Sequence, residues 1–223
     1  MIYVLIGLGY IVDIFFIIHD NEKHDGFSIV LKTLASLCFV TLSIILYKEA
    51  TNKELAILVV YALIADLFGD FVLILRNITE KHHNLIFILG TVCFFIGHIF
   101  LMIMLYRNCP NVLLNTLVVT TVAFLIVSFA FVRSLDASKT FLVIGGVYVF
   151  FIMFILFYAL CSLIKYNTSF DLSFLFGYFL FVVSDIVLII QKFNKKASIV
   201  LQPIYRLSYF ISQILIALSI AYL

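Results

Sequence analysis

Eight polar or ionisable side chains interrupt the hydrophobic stretches of this chain and are its candidates for chemistry. They are Asp13, Lys32, Asp66, Asp70, His98, Asp185, Arg206 and Gln213. Two carboxyl groups that share a partly dry site repel each other, so one can keep its proton while the other is charged. Such a pair can donate a proton and stabilise a cation, while Lys and Arg can bind an anion such as a phosphate. The same residue types also line proton and ion pathways in transporters.

The composition indicates that these side chains are surrounded by lipid. The chain has 223 residues, of which 65% are hydrophobic and 12% are charged, and its mean hydropathy is +1.24. Soluble domains carry about 25% charged residues, so this composition excludes an ordinary water-soluble protein. A net charge of +2 and no basic block longer than Lys195-Lys196 give no case for nucleic-acid binding.

The hydrophobic runs predict an all-α fold, a polytopic membrane bundle of eight transmembrane helices. At 1.5 Å per residue each run can cross a hydrocarbon core of about 30 Å, and none has the alternation of a β-barrel strand. Short loops make consecutive helices antiparallel neighbours, so residues 1–223 form one integral membrane domain. The predicted helices cover about residues 2–18, 27–47, 54–75, 85–105, 112–132, 140–164, 170–191 and 199–222.

Loop charges predict the orientation of this bundle. The positive-inside rule makes the end with more Lys and Arg cytoplasmic, which places both termini outside the cell or in a lumen. Eight such residues, Lys23, Arg76, Lys81, Arg133, Lys139, Lys192, Lys195 and Lys196, lie at one end, against Lys48, Lys53, Arg107 and Lys165 at the other.

A weak internal repeat appears at an offset of 115 residues. The segment 69–74 aligns with 184–189, which pairs Asp70 with Asp185, and the same offset pairs His98 with Gln213. An even number of helices separates the copies, so the repeat suggests two four-helix halves in parallel orientation. Chance similarity between apolar sequences is the alternative.

The charged residues are predicted to lie in one layer near the cytoplasmic end. Four charges that faced lipid would cost on the order of 10–14 kcal/mol, so we expect them to face inward. Asp66 lies one helical turn deeper than Asp70 on the same face, and His98 is deeper still. Two alternatives remain: Asp13 is expected to be a solvated helix end, and Lys32 and Arg206 could extend to the headgroups. We expect close helix packing at Gly90, Gly97, Gly145, Gly146, Gly177, Ser208 and Ser212.

At this layer the sequence resembles the YhhN-type lysoplasmalogenase family of eight-helix membrane proteins. Thr33 and Leu101 stand where that family often has proline and tyrosine, which leaves the substrate preference open. The ordered motifs are Lys32, Gly69-Asp70 with Leu73, Phe87-x-x-Gly90-x-x-x-Phe94-x-x-x-His98, Gly177 with Phe181 and Ser184-Asp185, and Tyr209-x-x-x-Gln213.

The resemblance implies hydrolysis of the vinyl ether bond of a lysoplasmalogen, which releases a fatty aldehyde and glycerophosphoethanolamine or glycerophosphocholine. Protonation of the alkenyl carbon gives an oxocarbenium cation, so the reaction needs a proton donor and a nearby anion, as in glycosidases. We expect Asp70 and Asp185 to form this catalytic pair, without an assignment of acid and base. Asp66 would tune the pair or hold water, and His98 would orient water or a carboxylate.

The remaining candidates would bind substrate. Lys32 and Arg206 would receive the phosphate, with Tyr209 and Gln213 beside them. We expect no cofactor and no metal, although a carboxylate-bound divalent ion stays open. The expected partners are the lysophospholipid substrate and membrane lipids, and a homo-oligomer stays open. The membrane would be the endoplasmic reticulum in a eukaryote or the inner membrane in a bacterium.

Two other classes of function fit the same residues. A multi-pass transporter or proton-coupled carrier would also place Asp, Lys and His in its interior and would also show an internal repeat. A lipid-binding scaffold would use the charged layer as a buried ion-pair network. Release of aldehyde by purified protein distinguishes the enzyme from both.

Overall fold

The computed structural model describes residues 2–22, 25–79, 82–131, 138–193 and 201–223, and within these ranges it contains eight long helices and no strand. Each helix is long and apolar enough to cross a membrane, which confirms the predicted fold class. The protein is therefore an integral, multi-pass membrane protein. The helices are α1 (Ile2–Glu22), α2 (Gly26–Glu49), α3 (Lys53–Ile78), α4 (His83–Asn108), α5 (Leu113–Phe131), α6 (Lys139–Tyr166), α7 (Ser169–Phe193) and α8 (Leu201–Ser219).

Several helices extend past the hydrophobic runs that predicted them. Helix α1 ends at Glu22, beyond the expected end at 18, and α4 covers 83–108 where 85–105 was expected. Backbone hydrogen bonds continue a helix into the polar interface, where hydropathy no longer marks it. The expected start of the last helix, at 199–200, lies outside the described residues, as do the loop charges Lys23, Lys81, Arg133, Lys195 and Lys196, so the orientation stays a prediction.

Polar side chains cap the first turn of three helices, α2, α3 and α7. The Asp25 carboxylate accepts hydrogen bonds from the Phe27 and Ser28 amides at 3.0 and 3.1 Å, at the start of α2. Asn52 accepts from the Leu55 amide at 3.2 Å, at the start of α3. These side chains satisfy amide groups that the first helical turn leaves without a partner.

Helix α7 begins with a reciprocal pair of side-chain contacts. The Asp171 amide donates to the Thr168 hydroxyl at 3.1 Å, and the Thr168 amide donates to the Asp171 carboxylate at 3.2 Å. This is the capping-box arrangement. Asp171 is therefore a buried acidic group with a structural partner, at the opposite end of α7 from Asp185.

The helices pack around two extensive contacts, α3 with α4 and α7 with α8. Helix α2 lies between α3 and α8, and α1 packs on α2 and α8. Helix α5 packs mainly on α6, which also contacts α4 and α7. Helices α1 and α5 therefore cover different flanks of the bundle.

Glycine permits the close approach in both extensive contacts. A Cβ atom at Gly97 would lie 2.6 Å from Asp66 Oδ1, and one at Gly177 would lie 2.9 Å from the Ile216 backbone nitrogen. The close packing expected at these positions is confirmed. The same expectation is wrong for Gly145 and Gly146, because a Cβ atom at either would meet no atom within 4 Å.

Candidate active site

One cavity of about 610 Å³ opens among the helices at the end of the bundle where α2, α4, α6 and α8 begin. Asp70 of α3 and Asp185 of α7 both line it, together with Lys32, Arg206 and Tyr209. The expectation that two aspartates distant in sequence face a common space agrees with this geometry. The volume lies within the range of roughly 300–1,000 Å³ that is usual for small-molecule sites.

Asp70 is surrounded by hydrogen-bond donors and one cation. Its Oδ1 lies 3.3 Å from Lys32 Nζ. Its Oδ2 accepts hydrogen bonds from the Ser36 hydroxyl at 2.5 Å and the Tyr209 phenol at 3.0 Å. Asp70 is 5% exposed, so these contacts replace the water that an ionised carboxylate would otherwise need.

Asp185 has a different environment. Its Oδ2 accepts a hydrogen bond from the Tyr148 phenol at 2.5 Å. The ion pairs among the described residues join Lys32 with Asp70, Arg206 with Asp20, and His19 with Asp25, and none of them includes Asp185. This carboxyl group is therefore buried beside a neutral donor and has no cationic partner in the described part of the chain.

His98 lies behind Asp185 and does not line the cavity. It is fully buried, with Nε2 3.3 Å from the Tyr148 phenol oxygen and Nδ1 3.4 Å from the Tyr178 phenol oxygen. Because the Tyr148 hydroxyl donates to Asp185, His98 Nε2 can donate to the Tyr148 oxygen. His98 thus holds Tyr148 and reaches Asp185 through it.

Asp66 and Gln213 form a second buried pair outside the cavity. The Gln213 side-chain amide donates to Asp66 Oδ2 at 2.9 Å, while Asp66 Oδ1 has no hydrogen-bond partner in the described ranges. As expected, Asp66 lies one turn deeper than Asp70 on the same helix. The predicted site residues therefore divide into a group that faces the cavity and a group behind it, namely Asp66, His98 and Gln213.

Lys32 and Arg206 form a basic wall of the cavity near α1. Both are buried within the bundle, so neither extends to the surface. Lys32 Nζ lies 4.4 Å from the centre of the Tyr209 ring, and the Arg206 guanidinium lies 5.0 Å from the centre of the Phe16 ring. Arg206 Nη2 pairs with Asp20, and Arg206 Nη1, which is itself buried, has no hydrogen-bond partner among the described residues.

The expectation that Asp13 is a solvated helix end is wrong. Asp13 is fully buried, and within the part of the chain that the structure describes neither of its carboxylate oxygens has a hydrogen-bond partner. Helix α1 packs against α2 and α8, which brings Asp13 under the influence of the Lys32 and Arg206 charges. A depth counted along the helix could not show this, because burial depends on which face meets the neighbouring helices.

The cavity wall formed by α4, α5 and α6 is largely apolar, with Phe87 of α4, Phe124 and Val127 of α5, and Gly145 and Gly146 of α6. Arg76 also lines the cavity, and its guanidinium carbon lies 5.8 Å from the centre of the Phe87 ring. The cavity thus combines basic side chains and two aspartates with a largely apolar wall.

Sequence reasoning missed three residues that complete the site: Tyr148, Ser36 and Asp20. Tyr148 donates to Asp185, Ser36 donates to Asp70, and Asp20 pairs with Arg206. The chain has 12 tyrosines, so one more within a hydrophobic run carries no distinctive signal. Ser36 could have been found, because it lies four residues after Lys32 on the same helical face.

The described residues contain no group of three or more His, Cys, Asp or Glu side chains that could hold a metal ion. The polar contacts of Asp70 and Asp185 are instead made by Lys, Ser and Tyr side chains.

The fold and the cavity define the class of protein: it is a polytopic membrane protein in which two carboxyl groups line one cavity between the helices. The chain belongs to the YhhN family, whose sequence model matches residues 27–220. This match confirms the resemblance and covers nearly the whole chain, including α3 to α8 and all but the first residue of α2. No curated protein and no solved structure matches the chain.

Proposed function

We propose that this protein hydrolyses the vinyl ether bond of lysoplasmalogens. The observation that carries the proposal is the combination of groups that line one cavity: the cations Lys32 and Arg206, the aspartates Asp70 and Asp185, and a largely apolar wall from α4 to α6. A lysoplasmalogen has a part to match each of them, namely a phosphate, a vinyl ether and a hydrocarbon chain. Membership of the YhhN family supports a hydrolase of this kind.

The two aspartates suit different tasks. Asp70 contacts the Lys32 ammonium group, which favours a carboxylate anion. Among the described residues the Tyr148 phenol is the one hydrogen-bond partner of the buried Asp185, and an unpaired charge there would be costly. We therefore assign Asp185 as the proton donor and Asp70 as the anion that stabilises the cation.

The reaction then balances with water as the only co-reactant. Asp185 transfers its proton to the alkenyl carbon that is not bonded to oxygen, and the adjacent carbon becomes an oxocarbenium centre opposite the Asp70 carboxylate. Water adds to that centre and gives its proton to the ionised Asp185. The resulting hemiacetal breaks its bond to the glycerol oxygen, which takes up the hemiacetal proton, and releases the aldehyde and the glycerophospho alcohol.

The surrounding residues would orient this pair and the substrate. Tyr148 fixes the Asp185 carboxyl group by its hydrogen bond, and His98 holds Tyr148 from behind. Lys32 and Arg206, which both line the cavity, would bind the phosphate. Tyr209 would support Asp70 beside the phosphate.

The test is aldehyde release from a lysoplasmalogen by purified protein in detergent or liposomes. We expect wild-type protein to release aldehyde and the variants Asp70→Asn and Asp185→Asn to lose at least about a hundredfold in turnover, since a positioned proton donor contributes roughly 10²–10⁴-fold. Activity is expressed per folded protein, measured by size-exclusion chromatography. Asp25→Asn is the matched control, because Asn caps a helix as well as Asp and the residue does not line the cavity.

Substrate controls separate hydrolysis from binding and transport. A saturated alkyl ether analogue has no double bond to protonate, so it should bind without release of product. Full turnover by both Asn variants would overturn the assignment of the pair. Movement of lipid across liposomes without aldehyde release would instead favour the carrier.

A further inference from the structure

A third cation lines the cavity, and the mechanism above does not use it. Arg76 lies near the end of α3, and the six residues from Asp70 to Arg76 span about 9 Å along the helix axis at 1.5 Å per residue. Helix α3 ends at the side of the bundle where the cavity opens, so Arg76 lies nearer to this opening than Asp70 does. Its side chain is half-buried.

An aromatic contact holds the Arg76 side chain at the cavity wall. Its guanidinium carbon lies 5.8 Å from the centre of the Phe87 ring, and this ring lies 6.3 Å from the Phe193 ring of α7. A cation over a ring face is attracted by the π-electrons, an interaction that needs no hydrogen bond. The contact therefore leaves the N–H groups of Arg76 available to a ligand in the cavity.

The charge of Arg76 is not balanced within the described part of the chain. Lys32 pairs with Asp70, and Arg206 pairs with Asp20. Among the described residues, Arg76 has no such carboxylate partner. A phosphate beside either ion pair would also meet a carboxylate that repels it, so Arg76 offers the uncompensated positive charge that an anion needs.

Tyr205 of α8 connects Arg76 with Arg206. Arg206 Nε donates to the Tyr205 hydroxyl at 3.4 Å, and Arg76 is close enough to interact electrostatically with the same phenol. All three side chains line the cavity. A phosphodiester has two oxygens without a substituent, so it can accept hydrogen bonds from a guanidinium on either side of Tyr205.

We propose that Arg76 binds the phosphate of the lysophospholipid, beside Tyr205 and Arg206, and that it makes the cavity select phosphate-bearing ether lipids over neutral ones. The inference rests on the proposed function for the identity of the substrate. It adds a specificity-determining residue near the opening of the cavity. The alternative role of such an arginine is to extend to the headgroups of the surrounding bilayer, which would give no selectivity between ligands in the cavity.

The test measures ligand binding to purified wild-type protein and to Arg76→Gln in detergent. Two ligands carry the same saturated alkyl ether chain: one is the lysophosphoethanolamine analogue and the other is the alkylglycerol, which has no phosphate. Neither can be hydrolysed as a vinyl ether. We expect the variant to lose about tenfold to a hundredfold in affinity for the first ligand, because a charge-assisted hydrogen bond is lost, and to bind the second as wild type does.

Two further variants serve as controls. Arg107→Gln makes the same change at an exposed arginine in the last turn of α4, at the opposite end of the bundle and outside the residues that line the cavity. It should bind both ligands as wild type does. Arg76→Lys keeps the charge without the planar fork of donors, so it should recover part of the affinity for the phosphate-bearing ligand.

Competition with inorganic phosphate distinguishes the two sources of the anion. Inorganic phosphate lacks the hydrocarbon chain, so we expect it to displace the lysophosphoethanolamine analogue only weakly. Displacement as strong as that by the unlabelled analogue itself would overturn a lipid headgroup as the source of the phosphate.

The possible outcomes distinguish this inference from the proposed function. A loss confined to the phosphate-bearing ligand supports the role of Arg76 even if wild type releases no aldehyde from a lysoplasmalogen, in which case only the hydrolysis fails. An equal loss for both ligands, or no loss for either, overturns the role of Arg76.

Discussion

The two halves of the molecule, α1–α4 and α5–α8, carry equivalent aspartates in unequal surroundings. Asp70 has an ammonium group, a serine and a tyrosine around it, whereas Asp185 has one tyrosine. At the repeat offset of 115, the position of Lys32 corresponds to Val147, an exposed residue. The first half therefore pairs its aspartate with a cation, whereas Asp185 in the second half has no such partner among the described residues.

The framework around the aspartates is nevertheless similar in both halves. A Cβ atom at Gly90 would lie 3.5 Å from the Gly69 carbonyl oxygen, and the equivalent Ser184 hydroxyl donates to the Tyr205 carbonyl at 2.8 Å. Positions 69 and 90 in the first half and the equivalent positions 184 and 205 in the second therefore hold the two helices together. These contacts set the helix packing and do not determine which charges enter the cavity.

A second pair of equivalent contacts crosses between the halves. Gln213 of α8 bonds to Asp66 of α3, and the ring of His98 of α4 lies 4.8 Å from that of Phe181 of α7. At the offset of 115, Asp66 corresponds to Phe181 and His98 corresponds to Gln213, so the two contacts occupy equivalent positions. This correspondence favours a true repeat over chance similarity, with one polar pair replaced by an aromatic one.

The difference teaches that one framework can hold two carboxyl groups in opposite charge states. In the first half Lys32 stabilises the carboxylate anion of Asp70. In the second half no lysine occupies the equivalent position, so burial favours the protonated form of Asp185. The assignment of Asp185 as donor depends on this asymmetry, so experiments that test the asymmetry also test the assignment.

The largest expected effect is an unequal loss of stability when each aspartate becomes asparagine. Asp70→Asn leaves the buried Lys32 ammonium without its carboxylate and should lower the free energy of unfolding by about 3–5 kcal/mol. Asp185→Asn keeps an oxygen that can accept from Tyr148 and should cost about 1 kcal/mol or less. Unfolding in mixed detergent micelles measures both.

A double variant provides the control for this prediction. Lys32→Met combined with Asp70→Asn removes both charges and should recover most of the loss. Equal losses from the two single variants would contradict the asymmetry. A small loss from Asp70→Asn would mean that Asp13 forms an ion pair with Lys32 in place of Asp70.

The sequence predicts the helices and the inward charges well, because lipid forces both. Hydropathy locates a membrane span, and the cost of a charge in hydrocarbon excludes a lipid-facing aspartate. It does not predict which neighbour each aspartate contacts, because that depends on the rotation of α6 and α8 about their axes. Tyr148 was missed for this reason, and Asp13 was placed in solvent although it lies against α2 and α8.

The glycines that join helices within each half should show the next largest effect. Gly97→Ala and Gly177→Ala should each destabilise the protein by roughly 1–3 kcal/mol, because the added methyl group has no room. We expect the larger loss at Gly177, where the obstacle is the Ile216 backbone rather than the Asp66 side chain. Measured losses in the reverse order would show that the α3–α4 contact is the more rigid one.

Gly145, which has open space around it, provides the control for Gly97→Ala and Gly177→Ala. Gly145→Ala adds the same methyl group where no atom lies within 4 Å, and alanine favours a helix by about 0.5–1 kcal/mol over glycine. It should therefore leave the free energy of unfolding unchanged or raise it slightly. A loss as large as that of Gly97→Ala would show that α6 is packed more closely than the cavity implies.

The last comparison is between the tyrosines that donate to the two aspartates. Tyr148→Phe removes the one hydrogen-bond donor that the described residues offer Asp185, so turnover should fall by about tenfold to a hundredfold, the equivalent of roughly 1.4–2.7 kcal/mol. Tyr209→Phe leaves Asp70 with Lys32 and Ser36, and should lower turnover by less than about threefold. Aldehyde release over a range of substrate concentrations measures kcat and KM separately. A role of Tyr148 in positioning Asp185 predicts a change in kcat with KM unaltered, whereas general loosening of the site would change both, and a greater effect of Tyr209→Phe on kcat would reverse the assignment of donor and anion.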